Sequence, residues 1–176
     1  MVPPMRDTVQ ARGLTHLCVW ANQKGAKDKA VEIGAYAGEG TVILANHFKE
    51  VTSVDPWING YDGGDVASFQ APMKWVFNAW KKRTEAFPNI RCSRTTSKDA
   101  AVHFEDGSLD FVYVDGDHRH EAVVADLNIY LPKLRKGGVM AGHDLSFNSV
   151  QMALRDVFGA KTEFTLFDGD SWGLVV

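Results

Sequence analysis

The run Asp115-Gly-Asp-His-Arg-His120 carries two carboxylates and two imidazoles directly behind the apolar segment Leu109-Asp-Phe-Val-Tyr-Val114. An almost unbroken apolar segment of this length reads as a strand buried on both faces. Its polar sequel then stands at the strand's carboxyl end, where open α/β sheets bind ligands. The next apolar segment, 139–143, closes on Gly142-His143-Asp144 at the same edge. Asp115, His143 and Asp144 are thus candidate ligands for one divalent cation. Carboxylate oxygens suit Mg²⁺, Mn²⁺ or Ca²⁺, and the imidazole leaves room for Mn²⁺ or a softer metal. The competing reading makes these groups caps of the following helices, with the histidines merely exposed.

A second cluster, Glu32-Ile-Gly-Ala-Tyr-Ala-Gly-Glu-Gly-Thr41, runs on from the strand signal at 30–33. Its glycines let the chain turn tightly and let a ligand approach the backbone. The spacing is G-x-x-x-G-x-G, whereas a turn that aims amides at a diphosphate reads G-x-G-x-x-G. Asp55 ends the strand expected at 51–54 and can accept two hydrogen bonds from a ribose diol; capping is its alternative role. Trp57, just beyond it, adds an aromatic able to cover an adenine. In Thr96-Ser97-Lys98-Asp99, Ser97 or Asp99 serves either a ligand or, equally well, the N-cap of the next helix.

The elements that must position these groups alternate. Residues 8–23 have the spacing of a helix with Leu14, Leu17 and Trp20 on its packing face, and helical spacing returns at 41–48. Trp57, Gly60, Tyr61, Gly63 and Gly64 argue for a loop, after which Phe69, Met73, Val76, Phe77, Trp80 and Phe87 form one helical stripe. Trp75 lies off that stripe, which favours a surface or lid position. A third strand is expected at 91–94, a helix through Val123, Leu127 and Tyr130 up to Pro132, and a fifth strand at 139–143 after Gly137-Gly138. A helix at 150–158 and strands at 163–167 and 172–176 complete the chain. Alternation of this kind gives an α/β, Rossmann-like, doubly wound and mostly parallel seven-stranded sheet. The four residues between the last two strands are too few for a parallel crossover, so the final strand should be antiparallel.

Bulk properties set the remaining bounds. A chain of 176 residues suits one domain, divided here into an N-terminal helical extension, 1–28, and a main domain, 29–176. A net charge of −3 gives no reason to expect nucleic acid or an anionic membrane as partner. Two cysteines make no disulfide framework, residues 1–29 lack a signal-peptide pattern, and no apolar run reaches the roughly 20 residues that span a bilayer. A soluble, cytoplasmic protein is the expectation.

VEIGAYAGEG, VTSVDPW, DFVYVDGDH and LRKGGVMAGHD together resemble the class I S-adenosylmethionine-dependent methyltransferases. The likeness is to the small metal-dependent O-methyltransferase type, with the macrocin-type sugar O-methyltransferases nearest and catechol O-methyltransferase more distant. The resemblance implies adenosylmethionine as cofactor, with contacts from Glu32, Gly34, Tyr36, Gly38, Gly40, Thr41, Asp55, Trp57, Ser97, Asp99 and Asp115. It implies Mg²⁺ or Mn²⁺ at Asp115, His143 and Asp144, although catechol-type enzymes have an acid where His143 stands. Their lysine base falls at His118, with Asp117 beside it, so either side chain is a candidate proton acceptor. A bound cation would lower the pKa of an acceptor hydroxyl and orient it; without one, a general base and proximity remain. The implied acceptor is a small hydroxylated metabolite or sugar, and a second subunit of a homo-oligomer can complete the pocket. A nicotinamide oxidoreductase would require the G-x-G-x-x-G turn that is absent, a hydrolase a G-x-S-x-G elbow. A catalytically silent adenosylmethionine-binding module stays open as an alternative.

Overall fold

In the computed structural model residues 2, 5–61, 69 and 71–176 are described; Pro3, Pro4 and the glycines Gly63 and Gly64 lie outside them. The elements in chain order are α1 (Thr8–Gln23), β1 (Lys29–Ile33), α2 (Glu39–Ala45), β2 (Glu50–Val54), α3 (Met73–Thr84), β3 (Ile90–Ser93), α4 (Ser97–Ala101) and β4 (Leu109–Val114). Then come α5 (His120–Tyr130), β5 (Leu134–Gly142), α6 (Asn148–Phe158), β6 (Thr165–Phe167) and β7 (Ser171–Val175). Pro132 sits in a 3-10 turn, Leu131–Lys133, where α5 stops.

The strands form one seven-stranded sheet in the order β3-β2-β1-β4-β5-β7-β6. β1 to β5 pair in parallel, and β7 runs antiparallel to both β5 and β6. The doubly wound sheet with an antiparallel last strand is therefore as the sequence implies. Register decides what this sheet does. Ile33 lies beside both Val54 and Val114, and Val114 lies beside Gly142. The four central strands thus end flush, and the residues that follow them are Gly34, Asp55, Asp115 and His143.

Both faces are covered. Phe111 and Tyr113 point to the side of α1 and α2, and Val112 and Val114 to the side of α5 and α6, as the period of two requires. α1 opens with a capping box between Asp7 and Gln10. Its Leu14, Leu17, Cys18 and Ala21 are fully buried among Phe111, Tyr113 and Ala141. Gly13 belongs to this packing, because a Cβ there would collide with the carbonyl of Asp168. No helix among the described residues is long and apolar enough to cross a membrane.

Several boundaries differ from the sequence reading. α2 starts at Glu39 and ends at Ala45; Phe48 instead packs on Phe111 from the following turn. β5 begins at Leu134, and a register shift between Leu109 and Phe111 lets it carry Gly137 and Gly138 through a bulge. Phe69 and Phe87 lie outside α3, and Phe69 is 65% exposed, so the stripe within the helix runs through Met73, Val76, Phe77 and Trp80. Trp75 is 60% exposed, as its offset from the stripe implies.

Candidate active site

A cleft of about 620 Å³ opens along the flush strand ends. Its floor is the turn after β1. Gly34 sits at φ 87°, and a Cβ there would strike the carbonyl of Asp115. Gly40 faces the same space, and a Cβ on it would meet Glu32 Oε1. These two absences leave backbone at the cleft surface. Tyr36 and Trp57 hold positive φ without being glycine, 43° and 47°, which costs energy and is typical of functional turns.

Glu32 is buried, and its Oε2 accepts from Thr41 Oγ1 at 2.5 Å and Ser53 Oγ at 3.0 Å. Burial pushes its carboxyl up to about 7 despite these donors and the nearby Arg6. Because the fold holds that proton more tightly than the unfolded chain, Glu32 makes stability fall as pH rises from about 4.5 to about 7. Thermal melting over that window should show the fall in the native chain and a shallower one in Glu32→Gln; parallel curves would refute it. Gly38 and Thr41 do not line the cleft: Gly38 is the left-handed N-cap of α2 beneath Trp80, and Thr41 secures Glu32.

Asp55 accepts the amides of Tyr36 at 2.9 Å and Trp57 at 2.7 Å, which orients its carboxylate into the cleft. Burial raises its pKa to about 6. Trp57, expected over an adenine, is instead 3% exposed, packed on Phe77 and Trp80 with Nε1 donating to the Tyr36 carbonyl. The positive φ turns its ring inward; its neighbours Pro56 and Ile58 line the cleft instead. Ser97 also lines it and donates to Asp126 Oδ1 at 2.5 Å. Asp99 does not: its amide and carboxylate close on Thr96, the true N-cap of α4. Asp126, buried on α5 with a pKa raised by burial to about 6, is a cleft residue that the helical stripe gave no cause to single out.

At the opposite end Asp115 forms an ion pair through Oδ2 with Arg6, a buried guanidinium that no sequence motif marked. His118 Nε2 lies 2.7 Å from Asp144 Oδ2, and Phe147 sets its ring edge against the imidazole at 5.3 Å. Although burial opposes it, the two histidines beside Asp144 hold its carboxyl well below the usual range. His143 Nε2 meets the Gly169 carbonyl at 2.7 Å and so must carry a proton, while Nδ1 lies 3.1 Å from Asp144. Burial works against charge on His143, but Asp144 and Asp115 raise its pKa. With Nε2 turned to the Gly169 carbonyl, only Nδ1 of His143 faces the two carboxylates. Among the described residues it is Asp115, His118 and Asp144 that bring one donor atom each within 4.8 Å of one another. Asp117 lines the same cleft but pairs with Arg119. Burial would raise its pKa, but the Arg119 guanidinium and amide hold both oxygens and lower it.

The sheet order, the flush strand ends and the glycine floor define a Rossmann-like α/β fold with its cleft at the carboxyl ends of the central strands. A family model described as a methyltransferase domain matches residues 31–145. The chain belongs to this methyltransferase family and is an adenosylmethionine-dependent enzyme of the class I fold. Solved structures agree in fold. A cofactor-bound protein from MTB, Rv0187, shares 19% identity over 99% of this chain and 83% of its own, with a TM-score of 0.65. A methyltransferase from Geobacter sulfurreducens shares 13% over 97% and 80%, TM-score 0.66. A TDP-rhamnose 3′-O-methyltransferase of calicheamicin biosynthesis shares 13% over 92% and 77%, TM-score 0.62. A search of curated proteins returned no match.

Proposed function

We propose that the chain methylates a hydroxyl of a small hydroxylated metabolite or sugar, with His118 as general base. The observation that carries this reading is the His118–Asp144 pair at the cleft. His118 takes up the acceptor's proton, and the Asp144 carboxylate 2.7 Å from its Nε2 stabilises the resulting imidazolium. Bound adenosylmethionine supplies the methyl group as a sulfonium electrophile. The residues present fit it: Asp55 faces the cleft for a ribose diol, Ser97 and Asp126 offer polar groups for an adenine edge, and Gly34 and Gly40 leave room at the floor. Carboxylates lining the cleft favour a cationic sulfur. The acceptor oxygen loses its proton to His118, gains the methyl group, and adenosylhomocysteine leaves. Holding the two reactants together supplies much of the rate.

Asp55→Ala should weaken adenosylhomocysteine binding by about 1.5–3 kcal/mol, the worth of hydrogen bonds to a charged group. Calorimetry checks this, and unchanged affinity would remove Asp55 from the ribose site. The reaction itself is tested by mass spectrometry of sugar and phenol acceptors after incubation with adenosylmethionine; a mass gain confined to an amine or thiol would exclude O-methylation.

A second reading is favoured by the convergence of Asp115, His118 and Asp144. Arg6 pairs with Asp115 Oδ2 and His143 Nδ1 lies 3.7 Å from Oδ1, so a cation would share these oxygens; two carboxylates and an imidazole suit Mg²⁺ or Mn²⁺. Such an ion would lower the acceptor hydroxyl's pKa. In that case EDTA removes activity, Mn²⁺ restores it, and Asp144→Ala abolishes the response while adenosylhomocysteine still binds. Activity indifferent to EDTA leaves the His118–Asp144 pair to act alone.

A further inference from the structure

Arg6 lies outside the residues matched by the methyltransferase family model, yet it lines the cleft. Its side chain is only 9% exposed. One terminal nitrogen, Nη2, pairs with Asp115, and the guanidinium lies 5.4 Å over the Tyr113 ring. The other, Nη1, is buried and has no hydrogen-bond partner among the described residues. The approach is fixed from behind: the amides of Met5 and Arg6 both donate to Glu39 Oε2 at 2.9 Å. Arg6 also borders the glycine floor, with Nε and Nη2 each 3.5 Å from the point a Cβ on Gly40 would occupy.

A buried, charged donor with nothing to bind is costly, and a guanidinium is shaped to hold a carboxylate. Glu32 and Asp115 flank the same space, so a ligand group with two or more negative charges is repelled there, while an ammonium is welcome. The complement of one arginine donor beside two acids is an α-amino acid zwitterion. We infer that Arg6 Nη1 holds the carboxylate of the cofactor's amino-acid tail, an inference that rests on the adenosylmethionine reading.

The test compares two ligands by calorimetry: adenosylhomocysteine and its decarboxylated analogue, the aminopropyl thioether of adenosine. The native chain should bind the analogue about ten- to a hundredfold more weakly, the fold-change expected for a hydrogen bond between charged groups. Arg6→Gln should lose that preference by weakening adenosylhomocysteine alone, and its undiminished affinity for the analogue would show an intact fold. Should Arg6→Gln fail to fold, Arg6→Lys, which keeps the charge that Asp115 needs, should retain only part of the preference. Equal affinities in the native chain overturn the inference while leaving the adenosylmethionine reading intact; no adenosylhomocysteine binding at all overturns both. Cofactor affinities untouched by Arg6→Gln, with a raised KM for the acceptor, would also overturn it and assign the arginine to the acceptor's own anion.

Discussion

His118→Ala should lower kcat by about 10²–10⁴-fold, the usual worth of a positioned general base. Adenosylhomocysteine affinity should stay close to native, because Asp55, Ser97 and Asp126, proposed above for the cofactor, lie on other elements. The loss should be greatest near neutral pH, where an imidazole is the side chain suited to accept a proton. Asp117→Asn should cost far less, since Arg119 already neutralises that carboxylate. Steady-state kinetics on both variants decides the matter: equal losses would return Asp117 to the reaction, and a native rate in His118→Ala would remove the base from it.

Leu17→Ala should destabilise the chain by about 2–5 kcal/mol, although Leu17 lies in the segment preceding β1. The side chain is fully buried, and it packs so closely over β7 that a Cβ on Gly173 would come within 2.9 Å of its Cδ1. Truncation leaves a cavity on the sheet face that α1 covers, beside Phe111 and Tyr113. Thermal or urea unfolding measures it. A loss under about half a kcal/mol, the level of a surface substitution, would mean that α1 contributes little to the core. Val19, on the same helix but 42% exposed, is the control and should tolerate alanine.

Local pattern was enough for the architecture. The apolar segment 109–114, the glycine turn after β1 and the brief link before β7 each carry their meaning within a few residues, through side-chain period, φ freedom and crossover length. Since parallel strands place their carboxyl ends on one edge, Gly34, Asp55, Asp115, Asp144 and His118 could be assigned to one cleft from sequence alone. What each side chain does inside that cleft depended on partners far away in the chain. Arg6 and Asp115 are 109 positions apart, and Ser97 and Asp126 are 29 apart. His143 places Nε2 on the Gly169 carbonyl of the turn before β7, and both it and His118 set a ring nitrogen beside Asp144. Trp57 went into the core because one backbone angle reversed its direction. A sequence states that a charge or a ring is present at a strand end; only packing settles which neighbour satisfies it, because that neighbour is supplied by sheet order and register rather than by adjacency in the chain.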